Sequence, residues 1–350
     1  MIISSISAKS ILDSRKKPTI QISINNQKAS APSGKSTGKH ETPSYHKSLS
    51  FCISYLNKKS NPLLNLKISK FQDLSKIEST LVSSLKLSNP KKFGANSLFA
   101  LESAILKALA RSQGKQLWQV INPRARKLPT PLGNAIGGGL HSHPAFKPTF
   151  QEFLLIPKSA SFKKSASILS STHKKLKSIL SSKKMNDEGA WQTSLNEVQI
   201  LSILSKFKNI KIGIDVAASS FYKSSNYKYS GFRLSRKDQI SYINSLIKKF
   251  SIKYIEDPLQ EEDFSGFAKI SKSSLVTGDD LTATQIPRLK KAIRSKSLSA
   301  LIIKPNQNGS LLELQKISQT CKSNKIKTVL SHRSGETLDD TIADLAFASK

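Results

Sequence analysis

Five short apolar runs in the second half of the chain each end on a residue with a reactive side chain. IKIGID ends at Asp215, KYIED at Glu256 and Asp257, and SLVTGDD at Asp279 and Asp280; ALIIK ends at Lys304 and KTVLSHR at His332 and Arg333. Carboxylates brought together repel one another unless a cation sits among them. A hard, oxygen-ligated ion, most simply Mg²⁺, suits such a donor set. An amine beside that ion offers proton transfer, and a guanidinium offers a grip on an anion. An acid at a helix N-terminus, favoured by the helix dipole, is the plainer reading of any one tip. Five tips in succession are harder to explain that way.

The elements that must position these residues follow from the spacing. The tips lie 41, 23, 25 and 28 residues apart, room for a strand, a helix and two loops each time. Helical patterns fill the intervals, with Ile240, Ile243, Ile247 and Phe250 in one and Leu311, Leu312, Leu314 and Ile317 in another. Buried strands alternating with amphipathic helices predict an α/β fold with a parallel sheet covered by helices. A barrel is the closure that collects every strand C-terminus on one face.

The chain has 350 residues, enough for a substantial core and two domains. Cys52 and Cys321 stand far apart in sequence and suggest no disulfide framework, which predicts a reducing, cytoplasmic setting. MIISSISAKSIL lacks the charged leader and apolar core of a signal peptide, and no apolar run is long enough to predict membrane insertion. Lys plus Arg number 56 against 23 Asp plus Glu, a net charge of +33. That balance favours non-specific contact with nucleic acid or an anionic surface. The lysines are nevertheless spread along polar helix faces, with no interleaved aromatics, so a solvated surface is the simpler account. The acids are placed more tellingly, with five before Glu152 and eighteen from it onward.

Residues 1–127 read as a separate α+β unit. Ile20, Ile22 and Ile24 alternate as one strand of a hairpin turning at Asn25-Asn26, and GANSLFALESAILKALARS forms a helix with Leu98, Leu101, Ile105 and Leu109 on one stripe. Between them the loop ASAPSGKS, Ala29 to Ser36, formally fits a loose phosphate-binding loop. Pro32 removes a backbone donor, however, and no helical pattern follows Thr37. A mobile Ser-Gly loop that closes over a ligand fits better. Residues 128–350 form the second unit. It opens with PLGNAIGGGLH, where glycines permit close backbone approach, and continues with the strand EFLLIP bearing Gln151 and Glu152 at its start.

Taken in order, ILDSRKKPTI, APSGKSTGKHE, PLGNAIGGGLH, QEFLLIP, NDEGAW, GIDVAASSF, IEDP, GDDLTAT, IIKPNQNGS and SHRSGET resemble the enolase (phosphopyruvate hydratase) family, archaeal-like in the GNAIGGG entry. The resemblance implies an enolase-type (βα) barrel that opens ββαα, with an N-terminal α+β capping domain. It implies reversible dehydration of 2-phosphoglycerate, a small phosphorylated three-carbon acid, with two Mg²⁺ ions, by a homodimer. It assigns Asp215, Glu256 and Asp279 to the tighter metal, and Ser36 to the second. Lys304 becomes the base at C2 and Glu188 the acid at the C3 hydroxyl. Gln151, Arg333 and Ser334 bind substrate, with His332 beside them and Glu152 supporting the acid side. His141 takes the mobile-loop histidine's place, with His143 competing for it. A lysine among two cations is expected to move towards neutrality, and Glu188 to start protonated.

Three departures accompany the resemblance. The sequence ends at Lys350, so the barrel is expected to be incomplete at its C-terminal end, without its last strand, its helix and a second active-site lysine. Lys35 replaces a small loop residue. Lys16-Lys17 replace a Gly-Asn pair. These departures support a rival reading, a non-catalytic, basic enolase-like binding protein.

Overall fold

The computed structural model describes residues 1–35, 38–142 and 148–349, with His141 described by its backbone alone. The N-terminal part is built on an antiparallel sheet of β1 (Ile6–Leu12), β2 (Pro18–Ile24) and β3 (Gln27–Ser30). Asn25 and Asn26 both take positive φ, 46° and 66°, the backbone a tight two-residue hairpin needs. Ile20, Ile22 and Ile24 face inward and are fully buried. The helices here are α1 (Leu49–Leu56), α2 (Leu74–Leu85), α3 (Ala95–Ser112) and α4 (Leu117–Ile121). The expected stripe of α3, Leu98, Leu101, Ile105 and Leu109, is also fully buried.

The second part holds an eight-stranded sheet. Its elements are β4 (Gly133–Gly137), β5 (Glu152–Pro157), α5 (Phe162–Ile179), β6 (Trp191–Gln192), α6 (Glu197–Leu204) and β7 (Ile210–Asp215). A small side sheet follows, formed by β8 (Tyr222–Lys223), β9 (Asn226–Lys228) and β10 (Arg233–Leu234). The chain continues with α7 (Arg236–Phe250), β11 (Tyr254–Glu256), α8 (Phe264–Phe267), β12 (Leu275–Gly278) and α9 (Ile286–Arg294). It then runs through β13 (Ala300–Ile303), α10 (Pro305–Asn308), α11 (Leu311–Ser323), β14 (Lys327–Leu330) and α12 (Thr341–Ala348). The strand order is β14-β13-β12-β11-β7-β5-β4-β6. β14 and β6 end the sheet without pairing to each other among the described residues, so the barrel is not closed.

The sheet is parallel from β7 through β14, as the alternation predicts, and its opening strands differ in direction. β5 runs antiparallel to both β4 and β7. This reversal carries the start of β5, with Gln151 and Glu152, to the rim where the parallel strands end. Alternate strand residues divide the interior from the helix layer. Ile214, Ile255, Val276, Leu301 and Ile303 join the main core, while Leu154, Tyr254 and Ile302 form a small cluster inside the sheet. Serine, abundant in this chain, caps helices. Ser161, Ser235 and Ser310 accept backbone N–H bonds at the starts of α5, α7 and α11. Both cysteines are buried and unbridged, and no described helix is long and apolar enough to cross a membrane.

Candidate active site

Strand register assembles the acids. Glu152 stands opposite Asp215 across β5 and β7, and Asp215 stands opposite Glu256 across β7 and β11. A cavity of about 820 Å³ opens at this rim. Gln151, Glu152, Glu188, Asp215, Glu256, Asp279, Lys304, His332, Arg333 and Ser334 all line it. Ser36 and His143 lie outside the described residues. His141 ends a short 3-10 turn, Gly139–His141, at the same end of the barrel.

Glu152 and Glu188 lie together on one side. Asn186 Oδ1 accepts the backbone N–H groups of Glu188 and Ala190, both at 3.0 Å, which fixes the loop. Asn134 Nδ2 donates to Glu188 Oε2 at 3.2 Å, and His332 Nε2 lies 3.9 Å from Glu188 Oε1. Burial, followed by the neighbouring Glu188, pushes the Glu152 carboxyl well above the ordinary range. Burial and the neighbouring acid thus favour the protonated form on this side of the cavity.

Asp215, Glu256 and Asp279 occupy the other side. Gln151 Nε2 donates to Asp215 Oδ2 at 3.0 Å, and Tyr254 Oη donates to Glu256 Oε2 at 2.5 Å. Burial and repulsion from Asp215 and Asp279 raise Glu256 far above its usual range, only partly offset by Lys304. Asp257 takes a different role. Its two carboxylate oxygens accept the backbone N–H groups of Asp279 (3.0 Å) and Asp280 (2.6 Å), which holds the end of β12 in place. Asp257, Asp279 and Asp280 present carboxylate oxygens within 4.8 Å of one another. Burial and Asp279 raise Asp280 to about 7. Such mutual repulsion is what a bound cation would relieve, and the all-oxygen donors fit a hard divalent ion.

Lys304 pairs with one of the acids. Its Nζ donates to Asp279 Oδ2. Burial pulls its pKa down, but the Asp279 carboxylate, aided by Glu256, outweighs both burial and Arg333, and the net shift is upward. The protein groups by themselves hold Lys304 as an ammonium rather than moving it towards neutrality.

Sequence reasoning missed how the N-terminal loop meets this rim. Ser33 and Gly335 pair as a two-strand bridge through N–H···O bonds of 2.8 and 2.9 Å. The Ser33 hydroxyl donates to Asp13 and accepts from Arg15 Nη2 at 3.1 Å, so DSR of the first motif braces the serine that pairs with Gly335 of the last. A Cβ at Gly335 would run into Asp13 Oδ2 and come within 2.7 Å of Ser33 Oγ, so a side chain there would displace the Asp13–Ser33 brace. The Lys35 backbone N–H donates to Ser334 Oγ at 2.9 Å, and Glu41 grips Arg333. Glu41 and Asn134 carried no periodic signal. Glu41 closes the quoted motif APSGKSTGKHE and is one of only five acids before Glu152, but neither fact assigned it a partner.

Carboxylates, an amine and a guanidinium on the C-terminal rim of an α/β barrel define a barrel enzyme built for acid–base work. Comparison with known families matches residues 3–121 to the enolase N-terminal domain and residues 125–350 to the enolase C-terminal TIM barrel domain. The enolase of Ehrlichia ruminantium (strain Gardel) is 35% identical over 381 aligned positions, covering 99% of this chain and 89% of the relative. The enolase of Methanocorpusculum labreanum is 35% identical over 376 positions, covering 99% and 92%. That of Archaeoglobus fulgidus is 33% identical over 373 positions, covering 99% and 91%. The chain belongs to the enolase family of carbon–oxygen lyases, the phosphopyruvate hydratases.

Proposed function

We propose that this chain catalyses the reversible, Mg²⁺-dependent dehydration of 2-phosphoglycerate to phosphoenolpyruvate. The observation that best supports this reading is the pairing on one cavity of a base beside buried metal-type carboxylates with a proton-retaining carboxyl pair across from it. In this reading Asp215, Glu256 and Asp279 hold the tighter ion, and Ser36 reaches the second. Bound divalent ions would stabilise negative charge on the substrate carboxylate, which otherwise makes the adjacent C2 proton very weakly acidic.

The chain's own residues manage the protons. Lys304 Nζ takes the proton from C2. It can do so only when Asp279 no longer holds it as an ammonium, so the Lys304–Asp279 pair sets the condition for that step. Glu188 delivers a proton to the departing C3 hydroxyl, and Glu152, protonated beside it, keeps a second negative charge away. Arg333, Ser334 and Gln151 orient the substrate, with His332 and His141 at the mouth. The same reading places the activity in glycolysis and gluconeogenesis, in the cytoplasm, and in a homodimer.

Purified protein given 2-phosphoglycerate and Mg²⁺ is expected to produce the ultraviolet absorbance of phosphoenolpyruvate, and to stop on chelation. Folded protein giving no Mg²⁺-dependent absorbance would overturn the reading.

A further inference from the structure

Arg333 and Glu41 are 292 positions apart and nearly buried, with side chains 5% and 8% exposed. Arg333 Nη1 donates to Glu41 Oε2 at 3.0 Å and Nη2 donates to Oε1 at 3.1 Å, a two-point fork that fixes the plane of the guanidinium as well as its place. Oε1 also accepts the Gly38 backbone N–H at 2.9 Å, closing the turn from Gly38 to Glu41. The other end of the same loop presses on the same guanidinium. A Cβ at Gly34 would overlap Arg333 Nη2 and lie 2.7 Å from Cζ, so the backbone there rests directly on the fork. Asn306 completes the assembly, accepting from Arg333 Nη1 at 3.2 Å and donating to the Pro32 carbonyl at 2.9 Å.

We infer that Glu41 is a positioning residue that orients Arg333 for an anionic ligand. The inference rests on the enolase reading for the identity of the anion, a small phosphorylated acid. The geometry itself calls only for an anion small enough to enter the cavity. Glu41 does not touch the reacting atoms. It acts through Arg333, which lines the cavity where Glu41 and Gly34 also reach its wall. A buried arginine without its carboxylate would turn to other acceptors, and the fork would no longer present its donors in one direction.

Glu41→Gln keeps the shape but replaces an accepting oxygen with an NH₂ group facing a guanidinium donor. Inorganic phosphate binding, followed by calorimetry on the full chain with Mg²⁺, is expected to weaken by about tenfold or more, as befits lost charged hydrogen bonds. KM for 2-phosphoglycerate should rise by a similar factor while kcat changes less. A merely structural role would instead lower the active fraction and leave KM unchanged. Glu41→Asp, which retains the charge but draws it back by one methylene, is expected to fall between and serves as the reading if Glu41→Gln does not fold. Phosphate affinity and KM within about twofold of the unsubstituted protein would overturn the inference. Should the unsubstituted protein bind phosphate without turning over 2-phosphoglycerate, a loss of binding in Glu41→Gln still supports the positioning role, and the enolase reading alone falls.

Discussion

Asp215, Glu256 and Asp279 stand at the ends of parallel strands whose ladders fix their spacing, whereas Ser33, Lys35 and Glu41 stand on a loop held by another domain's side chains. The two regions face each other across one cavity but are specified differently. On the rim, backbone hydrogen bonds fix a set of like charges at close quarters, and the cost appears as strongly raised carboxyl pKa values at Glu256 and Asp257. On the loop, opposite charges are matched, as in the Glu41–Arg333 fork, and the backbone is tied by glycine contacts at Gly34 and Gly335. A rim that crowds several carboxylates against one lysine is suited to capture a cation. A loop whose charges are matched is suited to hold Arg333 in one orientation.

The largest effect is expected at the rim. Lys304→Ala should lower turnover by about a thousandfold, the scale of a lost general base, while circular dichroism stays unchanged. Substantial remaining turnover would remove Lys304 from the chemistry and shift attention to the loop side of the cavity.

A smaller effect separates the two kinds of acid. Glu102 on α3 is fully buried at the junction of the two parts, where its Oε2 accepts the Leu311 N–H at 2.7 Å and Ser310 Oγ donates to Glu78 at 2.5 Å. Burial, then Glu78, raises Glu102 well above its ordinary value. A carboxyl with a raised folded-state pKa contributes stability below its unfolded value, near 4.5, and loses that contribution as pH rises through the folded value. Glu102→Gln keeps an acceptor for Leu311 and removes the titration. The unsubstituted protein should therefore lose ground to Glu102→Gln in urea unfolding as pH rises from about 4.5. Unfolding midpoints that run parallel across pH would show that this acid, unlike those at the rim, is relieved by its neighbours.

The same division explains what could be read in the sequence. Apolar runs ending on Asp215, Glu256, Asp279, Lys304 and Arg333 reveal strands and rim together, because strand period and strand end are local properties. Asn25-Asn26 reveals its turn for the same reason. The reversal of β5 left no local mark, since EFLLIP is equally apolar in either direction. Its reach to the rim followed from the family resemblance. The bridge between Ser33 and Gly335 and the Glu41–Arg333 fork join residues some 300 positions apart, and no periodicity records such pairings. The stretch from residue 38 to 73 showed little pattern because its one α-helix is short. α1 spans eight residues and begins only after a long irregular segment. The Lys304–Asp279 pair was not legible in the sequence because Asp279 is both a candidate metal ligand and the ion-pair partner, a double use visible only in three dimensions.

The central claim is that three strand tips converge on one divalent cation with an amine beside it. Crystals soaked in Mn²⁺ and measured for anomalous scattering test it most directly. A peak bounded by Asp215, Glu256 and Asp279, with Lys304 turned away from Asp279, is the expected result. A peak held instead by Asp257, Asp279 and Asp280, or no peak on this rim at all, would contradict it.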